Sequence, residues 1–388
     1  MRNVWILTLA QAFSGCGTIM LVAFGGIAGT QIAPVPALST LPLSLAIVGL
    51  AITSIPAALL MQRIGRKRAF VGSAAVAALA ALLCAWSVAS GAFATLCVAG
   101  MLLGANMAFV QQYRFAATEF LPPQQAGRAV STVMLGTLGA ALIGPVLGSL
   151  GKDLGGWPEF TGSFLILAVL CVIAMLILLG LGAAPLRTSE SNAAARPLRE
   201  IAAQPDYRAA VLIALVAYSV MSFIMTATPI SMHVHDGFSS GQTTTVITAH
   251  LLGMYLPSLA TPWIIQHLGI RRMMLVGVAA MTVCILISAA IGHAFVHYFS
   301  GLVLLGFGWN LMFVAGTTLL TRTYRASERF RAQGLNDFAI FGTQAVASLL
   351  AGSAIQSIGW SWVNLICLPL LLIVTLVAAR TRLSAARR

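Results

Sequence analysis

The chain is 388 residues long, 59% hydrophobic and only 8% charged, with a formal net charge of +13. A soluble domain carries about 25% charged residues, so this composition excludes a water-exposed globular protein. The apolar runs of roughly 20 residues that recur along the chain have the length a helix needs to cross a bilayer, and the class is a polytopic α-helical membrane protein.

The positive charge is not a nucleic-acid footprint. Lys and Arg gather near alternate connections, at Arg63 to Arg68, Arg128, Arg187 to Arg208, Arg271 and Arg272, Arg322 to Arg331 and Arg380 to Arg388, with Lys152 alone on the other side. This is the positive-inside pattern. It predicts cytoplasmic termini, an even number of spans, a lipid bilayer as partner and no nucleic acid. Twelve spans are expected, at about 4–29, 43–64, 69–91, 92–120, 127–151, 160–182, 208–232, 241–268, 271–293, 295–323, 330–356 and 359–380.

In the first span, too long for a signal-peptide core, Gln11, Ser14 and Thr18 recur at i, i+3 and i+7 on one face. In the fourth, Asn106, Val110, Tyr113 and Ala117 share a face, and Arg114 and Glu119 lie toward its cytoplasmic end. Residues 184–207 mix Arg, Glu, Asp, Ser, Asn and Pro and read as a cytoplasmic linker in which Leu198 to Ala203 forms a short surface helix. In the seventh span Tyr218, Ser222, Met225, Thr226 and Pro229 share a face; the eighth holds His250, the tenth Trp309, Asn310 and Phe313, and the eleventh Asp337.

Polar groups within spans are costly against lipid and belong on an interior path. Each has a plainer reading beside the functional one. Asn106 and Asn310 either bind a solute or bond neighbouring helices, Ser and Thr bond their own i−4 carbonyls, and Trp309 either stacks on a flat solute or fills space. His250 either carries a coupling proton or is a neutral, hydrogen-bonded side chain. Glu119 is expected to meet Arg66. Arg114 and Asp337, at matched depth, are expected to pair across a cytoplasmic gate. The rim histidines His233, His235, His293 and His297 read as solvated. Cys16, Cys84, Cys97, Cys171, Cys284 and Cys367 lie in apolar runs without C-x-x-C spacing, which indicates neither zinc nor disulfides.

The turn Gln62-Arg63-Ile64-Gly65-Arg66-Lys67-Arg68 returns as Gln266-His267-Leu268-Gly269-Ile270-Arg271-Arg272, 204 residues later. Gly49 and Gly253, Ser54 and Ser258, Gly104 and Gly308, and Asn106 and Asn310 stand at the same offset. Such parallel repeats build one large transporter class. The expected organisation is an N-terminal six-helix half, 1–183, a linker, 184–207, and a C-terminal half, 208–388. The stretch Ala58-x-x-x-Gln62-Arg63-x-Gly65-Arg66-Lys67 resembles the signature Gly-x-x-x-Asp-Arg-x-Gly-Arg-Lys of the major facilitator superfamily, with Ala58 and Gln62 in place of Gly and Asp. In that family the Asp helps to latch the cytoplasmic face. Gly144-Pro145-x-x-Gly148 is similar to the family's antiporter signature, with Ala140 where a further Gly is expected. The resemblance implies an all-α fold of two six-helix bundles related by a pseudo-two-fold axis, with the first, fourth, seventh and tenth helices lining a central cavity.

No G-x-x-x-x-G-K-[ST] loop, H-E-x-x-H or Ser/His/Asp set is present; Gly151-Lys152 is followed by Asp153. An enzyme or membrane-embedded sensor is therefore disfavoured, and no cofactor or metal is expected. The reading is a monomeric secondary transporter of the bacterial inner membrane, with protons as a candidate coupling ion. Its nearly uncharged, aromatic candidate face suits a small, neutral or weakly charged organic solute, such as a vitamin-like aromatic metabolite of the riboflavin kind taken up from outside. The alternative is a proton-coupled efflux antiporter.

Overall fold

A computed structural model describes residues 1–35, 38, 41–182 and 196–380. Every regular element among them is helical. Nine described stretches are long and apolar enough to cross a membrane, and the longest, Arg329–Ala379, holds two of the predicted spans.

The first span is α1 (Arg2–Met20), a π-helical turn at Leu21–Gly25 and α2 (Gly26–Ile32). The second and third are α3 (Leu41–Ile64) and α4 (Arg66–Ser90). The fourth is broken into α5 (Phe93–Val110) and α6 (Tyr113–Glu119) at the polar doublet Gln111 and Gln112. Then come α7 (Ala126–Leu150) and α8 (Thr161–Leu179). Residues 184–195 of the expected linker lie outside the described residues, as do 381–388 of the basic C-terminal cluster. The rest of the linker forms α9 (Leu198–Ala203), which buries Ile201. Proline opens α10 (Pro205–Pro229), at a position where its missing N–H costs nothing. A capping box of Ser239 and Gln242 starts α11 (Ser240–Tyr255). A tight turn containing Pro257 leads into α12 (Thr261–Leu286), followed by α13 (Phe295–Leu320), α14 (Arg329–Leu365) and α15 (Leu368–Arg380).

The repeated turn has one backbone. Gly65 has φ 84° and ψ 156°, and Gly269 has φ 74° and ψ 165°, a region essentially confined to glycine. The repeat is out of step elsewhere. Gly49 approaches the Met101 carbonyl and Gly104 that of Ala46, whereas Gly253 approaches Val303 and Gly306 approaches His250. The partners on α3 and α11 keep the offset of 204, but those on α5 and α13 are 202 apart. Gly306, not Gly308, is thus the packing equivalent of Gly104, and Asn310 is not the equivalent of Asn106. Both Gly306 and Gly308 suit a close approach by composition; only the backbone contact distinguishes them.

Contacts divide the chain into two compact units. In the first, α3 packs on α5, and α8 packs on α4 and α1. Its core gathers Cys16, Met20, Cys84, Leu103, Phe164 and Cys171. The glycines of α7 lie along α1: Gly136 meets the Thr8 carbonyl, Gly139 Ala12, Gly144 Ile19 and Gly148 Phe24. In the second unit α13 is central, flanked by α10, α11 and α12, and α15 packs on α10 and α12. Two elements are shared out unexpectedly. Arg329–Phe338, the start of α14, groups with the first unit, and Pro123–Ser131, the approach to α7, with the second. All six cysteines are buried and free.

Candidate functional site

The first unit holds a buried charged network near the Gly65 turn. Because Gly65 turns the chain sharply, Arg66 at the start of α4 points inward and is only 8% exposed. Its Nε and Nη2 donate to Glu119 Oε1 at 3.0 and 2.7 Å, Nη2 also donates to Gln333 Oε1 at 2.8 Å, and Nη1 to Gln112 Oε1 at 3.4 Å. Arg329 approaches the same Glu119 oxygen at 3.4 Å. The arginine therefore ties the start of α4 to the end of α6 and the start of α14. Gln62, where the family signature has Asp, is exposed. Ala58, where it has Gly, faces Gly334: a Cβ on Gly334 would come within 2.8 Å of the Ala58 methyl. The two helices approach closely here because both residues are small.

Arg114 and Asp337 meet deeper in the unit. Arg114 Nη2 donates to Asp337 Oδ1 at 2.6 Å, and the side chains are 2% and 1% exposed. Gln112 Nε2 donates to Asp337 Oδ2 at 2.6 Å and Asn336 Nδ2 to Oδ1 at 2.9 Å, while Arg114 Nη1 donates to Gln111 at 2.8 Å. A buried pair survives desolvation only with such supporting bonds, and removal of one partner costs about 3–5 kcal/mol.

Among the expected cavity residues of the first unit, Gln11 donates to Thr137 of α7 at 3.1 Å. Ser14 and Tyr113 are both buried, neither hydroxyl has a hydrogen-bond partner among the described residues, and Tyr113 lies edge-on to Phe70 at 4.6 Å. Asn106 is 5% exposed, and its Oδ1 has no hydrogen-bond partner among the described residues. The side chain of Thr18 lies outside the described residues.

In the second unit, Tyr218 is the hub of an aromatic cluster. Trp309, Phe313 and Phe341 meet its ring edge-on with centroids at 5.1, 5.0 and 5.4 Å, and Trp309 stacks on Phe313 at 5.1 Å. Tyr255 meets Trp309 at 5.9 Å. The Trp309 indole N–H is buried without a partner among the described residues. Ser222 is 7% exposed on the same helix as Tyr218, and Thr226 bonds Ser348 at 3.2 Å. Asn310 is spent inside its own unit: Nδ2 donates to the Met254 carbonyl at 2.7 Å and Ser258 Oγ at 2.8 Å, and Oδ1 accepts from Thr261 at 3.3 Å. It locks α13 to α11 at the Pro257 break. His250 is fully buried, with Nδ1 2.8 Å from the Leu302 carbonyl and no described partner at Nε2.

Several partners are not apparent from composition: Gln112, Gln333 and Asn336 in the network, Tyr255 and Phe341 in the aromatic cluster. The first three had a signal, since a neutral amide beside a charge in an apolar span is itself unusual. The aromatic pair had none. A further ion pair anchors Arg196, at the start of the described part of the linker. Arg196 donates to Glu328 from its backbone N at 2.9 Å, Nε at 2.8 Å and Nη2 at 2.7 Å, and the Arg325 N–H adds a bond at 2.9 Å. The hydrogen bonds from Arg196, above all, hold the Glu328 carboxyl down at about 2 despite its burial. At the rim His293 is not simply solvated: it pairs with Asp236 at 2.9 Å, and Asp236 accepts from Tyr298 at 2.6 Å.

The family model of the Major Facilitator Superfamily matches residues 7–230 and 210–387. The chain is similar to the riboflavin transporter RfnT of Brucella anthropi, 36% identical over 376 residues that span 96% of this chain and 94% of that protein. It is also similar to the MFS-type transporter YdeG of Bacillus subtilis, 28% identical over 98% of this chain and 92% of YdeG. Two solved structures share the fold at low identity. The human organic anion transporter MFSD10 superposes with a TM-score of 0.79 at 15% identity, covering 97% of this chain and 99% of that one. The E. coli fucose:proton symporter FucP does so with 0.71 at 16%, covering 97% and 98%. The chain belongs to the Major Facilitator Superfamily and is a multi-pass secondary transporter of a small molecule.

Proposed function

We propose that this protein takes up riboflavin, or a flavin close to it, across the bacterial inner membrane, as a monomer with both termini in the cytoplasm and no chemical change to its cargo. The observation that carries the reading is the likeness to RfnT along 96% of the chain. The residues support it. Riboflavin is flat, uncharged and rich in carbonyl and hydroxyl groups. Tyr218 and Trp309, with its unused indole donor, suit an aromatic ring, and Ser14, Tyr113 and Asn106 supply neutral polar groups. Gln11, Thr18, Ser222 and Thr226 flank them on the same helices. Asn310 acts here as a structural lock and His250 as a packed neutral side chain.

Transport follows by alternating access between two bundles. The Arg66–Glu119–Gln333 and Arg114–Asp337 contacts hold the cytoplasmic end shut when formed. Uptake is favoured over efflux because the glycines of the antiporter-like stretch are occupied in packing α7 on α1. In a riboflavin-requiring bacterium without its own uptake system, expression is expected to restore growth on low riboflavin. Growth that stays unrestored, with the protein present in the membrane, contradicts the reading. Resistance to a toxic flavin analogue instead of uptake would favour efflux.

A further inference from the structure

Two buried polar atoms of the second unit have no partner among the described residues and stand on helices that meet at Tyr218. One is the indole N–H of Trp309 on α13, the other Oε1 of Gln344 on α14. Here α10 and α14 run alongside each other in the same direction. Tyr218 meets Phe341 with ring centroids 5.4 Å apart, and two turns further on Thr226 bonds Ser348 at 3.2 Å. Phe341, Gln344 and Ser348 fall within about 60° of one helical face. Gln344 therefore stands between the two contacts, one turn beyond Phe341 and at the level of Ser222 on α10. Trp309 meets the same Tyr218 ring at 5.1 Å.

A buried donor or acceptor without a partner is costly, and native structures keep few of them. A ligand can relieve both atoms at once, since the indole donates and the amide oxygen accepts. Neither group is charged, and no Asp, Glu, Lys or Arg occurs in residues 209–229, 295–320 or 339–365 of the three helices. An ammonium or a carboxylate would lie uncompensated here. The group that fits is neutral, carries its own donor beside its own acceptor, and belongs to a flat ring that aromatic side chains can cover. A ring N–H next to a ring carbonyl, the edge of a lactam or cyclic imide, has this pattern. The Asn310 amide, one residue along α13, is not free to compete, being bonded to Met254, Ser258 and Thr261.

We propose that Gln344 is a cargo-binding residue that reads the unsubstituted ring N–H of a lactam or imide, while Trp309 donates to the neighbouring carbonyl. The aromatic cluster accepts a flat ring, and Gln344 selects which edge that ring must carry. The proposal deepens the riboflavin reading, because riboflavin has such an N–H between two carbonyls, and depends on it for the cargo alone.

The test compares ligands that differ by one methyl group on that nitrogen. In proteoliposomes holding the full-length protein, the wild type is expected to take up riboflavin with a KM about tenfold below that of 3-methylriboflavin. Gln344→Met keeps the length of the side chain and removes the acceptor, and is expected to bring the two KM values together. Gln344→Glu keeps an accepting oxygen and is expected to restore the preference. Gln344→Asn, which withdraws the oxygen by one methylene, gives the same comparison as the Met variant if that one does not fold. Trp309→Phe is expected to raise both KM values about two- to tenfold and leave their ratio intact, because the carbonyl is present in both ligands. A residue that only packs would change uptake of both ligands alike. A second arm needs no flavin: theobromine, which has an imide N–H, is expected to raise the thermal midpoint of the wild type more than caffeine, its methylated counterpart, and Gln344→Met to lose the difference. A wild type that takes up no riboflavin but distinguishes this second pair contradicts the cargo reading and keeps the edge reading. A preference that persists in Gln344→Met, or a wild type that discriminates neither pair, overturns the proposal.

Discussion

The Gly65 and Gly269 turns share a backbone and differ in what they carry. At the first, Arg66 is buried and gathers Glu119, Gln112 and Gln333. At the second, the same position is Ile270, also buried, and α13 contains no Asp, Glu, Lys or Arg. The duplicated turn carries an ion network at its first copy and an apolar side chain at its second, and the second unit's buried pair, Arg196–Glu328, lies away from its turn. A turn is kept by its geometry, which one glycine supplies. An ion network is kept only where every member finds a partner, and it is costly anywhere else.

That contrast can be broken by mutation. The largest effect is expected for Arg114→Ala, which leaves Asp337 buried and unpaired and should cost about 3–5 kcal/mol in thermal unfolding of the solubilised protein. The double variant Arg114→Gln/Asp337→Asn should recover most of it, and no recovery would mean that the pair matters for more than its charges. Arg196→Ala comes next, at about 1–3 kcal/mol near neutral pH, because Glu328 is left buried. Here pH gives a sharper check. The Glu328 carboxyl is lowered from 4.5 to about 2 on folding, so the clamp's contribution is present above about 4.5 and lost as pH falls toward 2. The wild type should lose stability across that window more steeply than Arg196→Ala, and equal slopes would remove the clamp from the account.

Swapping the turns isolates the asymmetry. Arg66→Ile should destabilise by about 1–3 kcal/mol through Glu119 and Gln333, and Ile270→Arg should gain nothing in return. If Ile270→Arg proves stabilising, the second unit has partners that this account misses. The smallest effect tests what is shared. Gly65→Ala and Gly269→Ala should each cost about 1–2 kcal/mol, and by similar amounts, because the strain is in the backbone alone. Clearly unequal costs would deny the common geometry.

Much of this organisation was legible in the sequence. The spans follow from apolar length, and the Gly65 and Gly269 turns from a polar repeat set between apolar runs. Arg114 and Asp337 stood out because charges within spans are rare, and matched depth brought them together. The illegible parts have physical reasons. The register of α13 depends on which of two glycines meets a carbonyl, which composition does not reveal. Asn310 resembled a cavity residue because an amide in a span signals a polar partner without saying whether that partner is cargo or the Pro257 break. The grouping of Arg329–Phe338 with the first unit is a matter of tertiary contact, invisible to helical periodicity.

The most direct test of the account is labelled riboflavin entry into proteoliposomes that hold the purified protein. Saturable entry, competed by unlabelled riboflavin and far above that of protein-free liposomes, is the predicted result. Entry no faster than into protein-free liposomes, from a preparation shown to be folded, would contradict it.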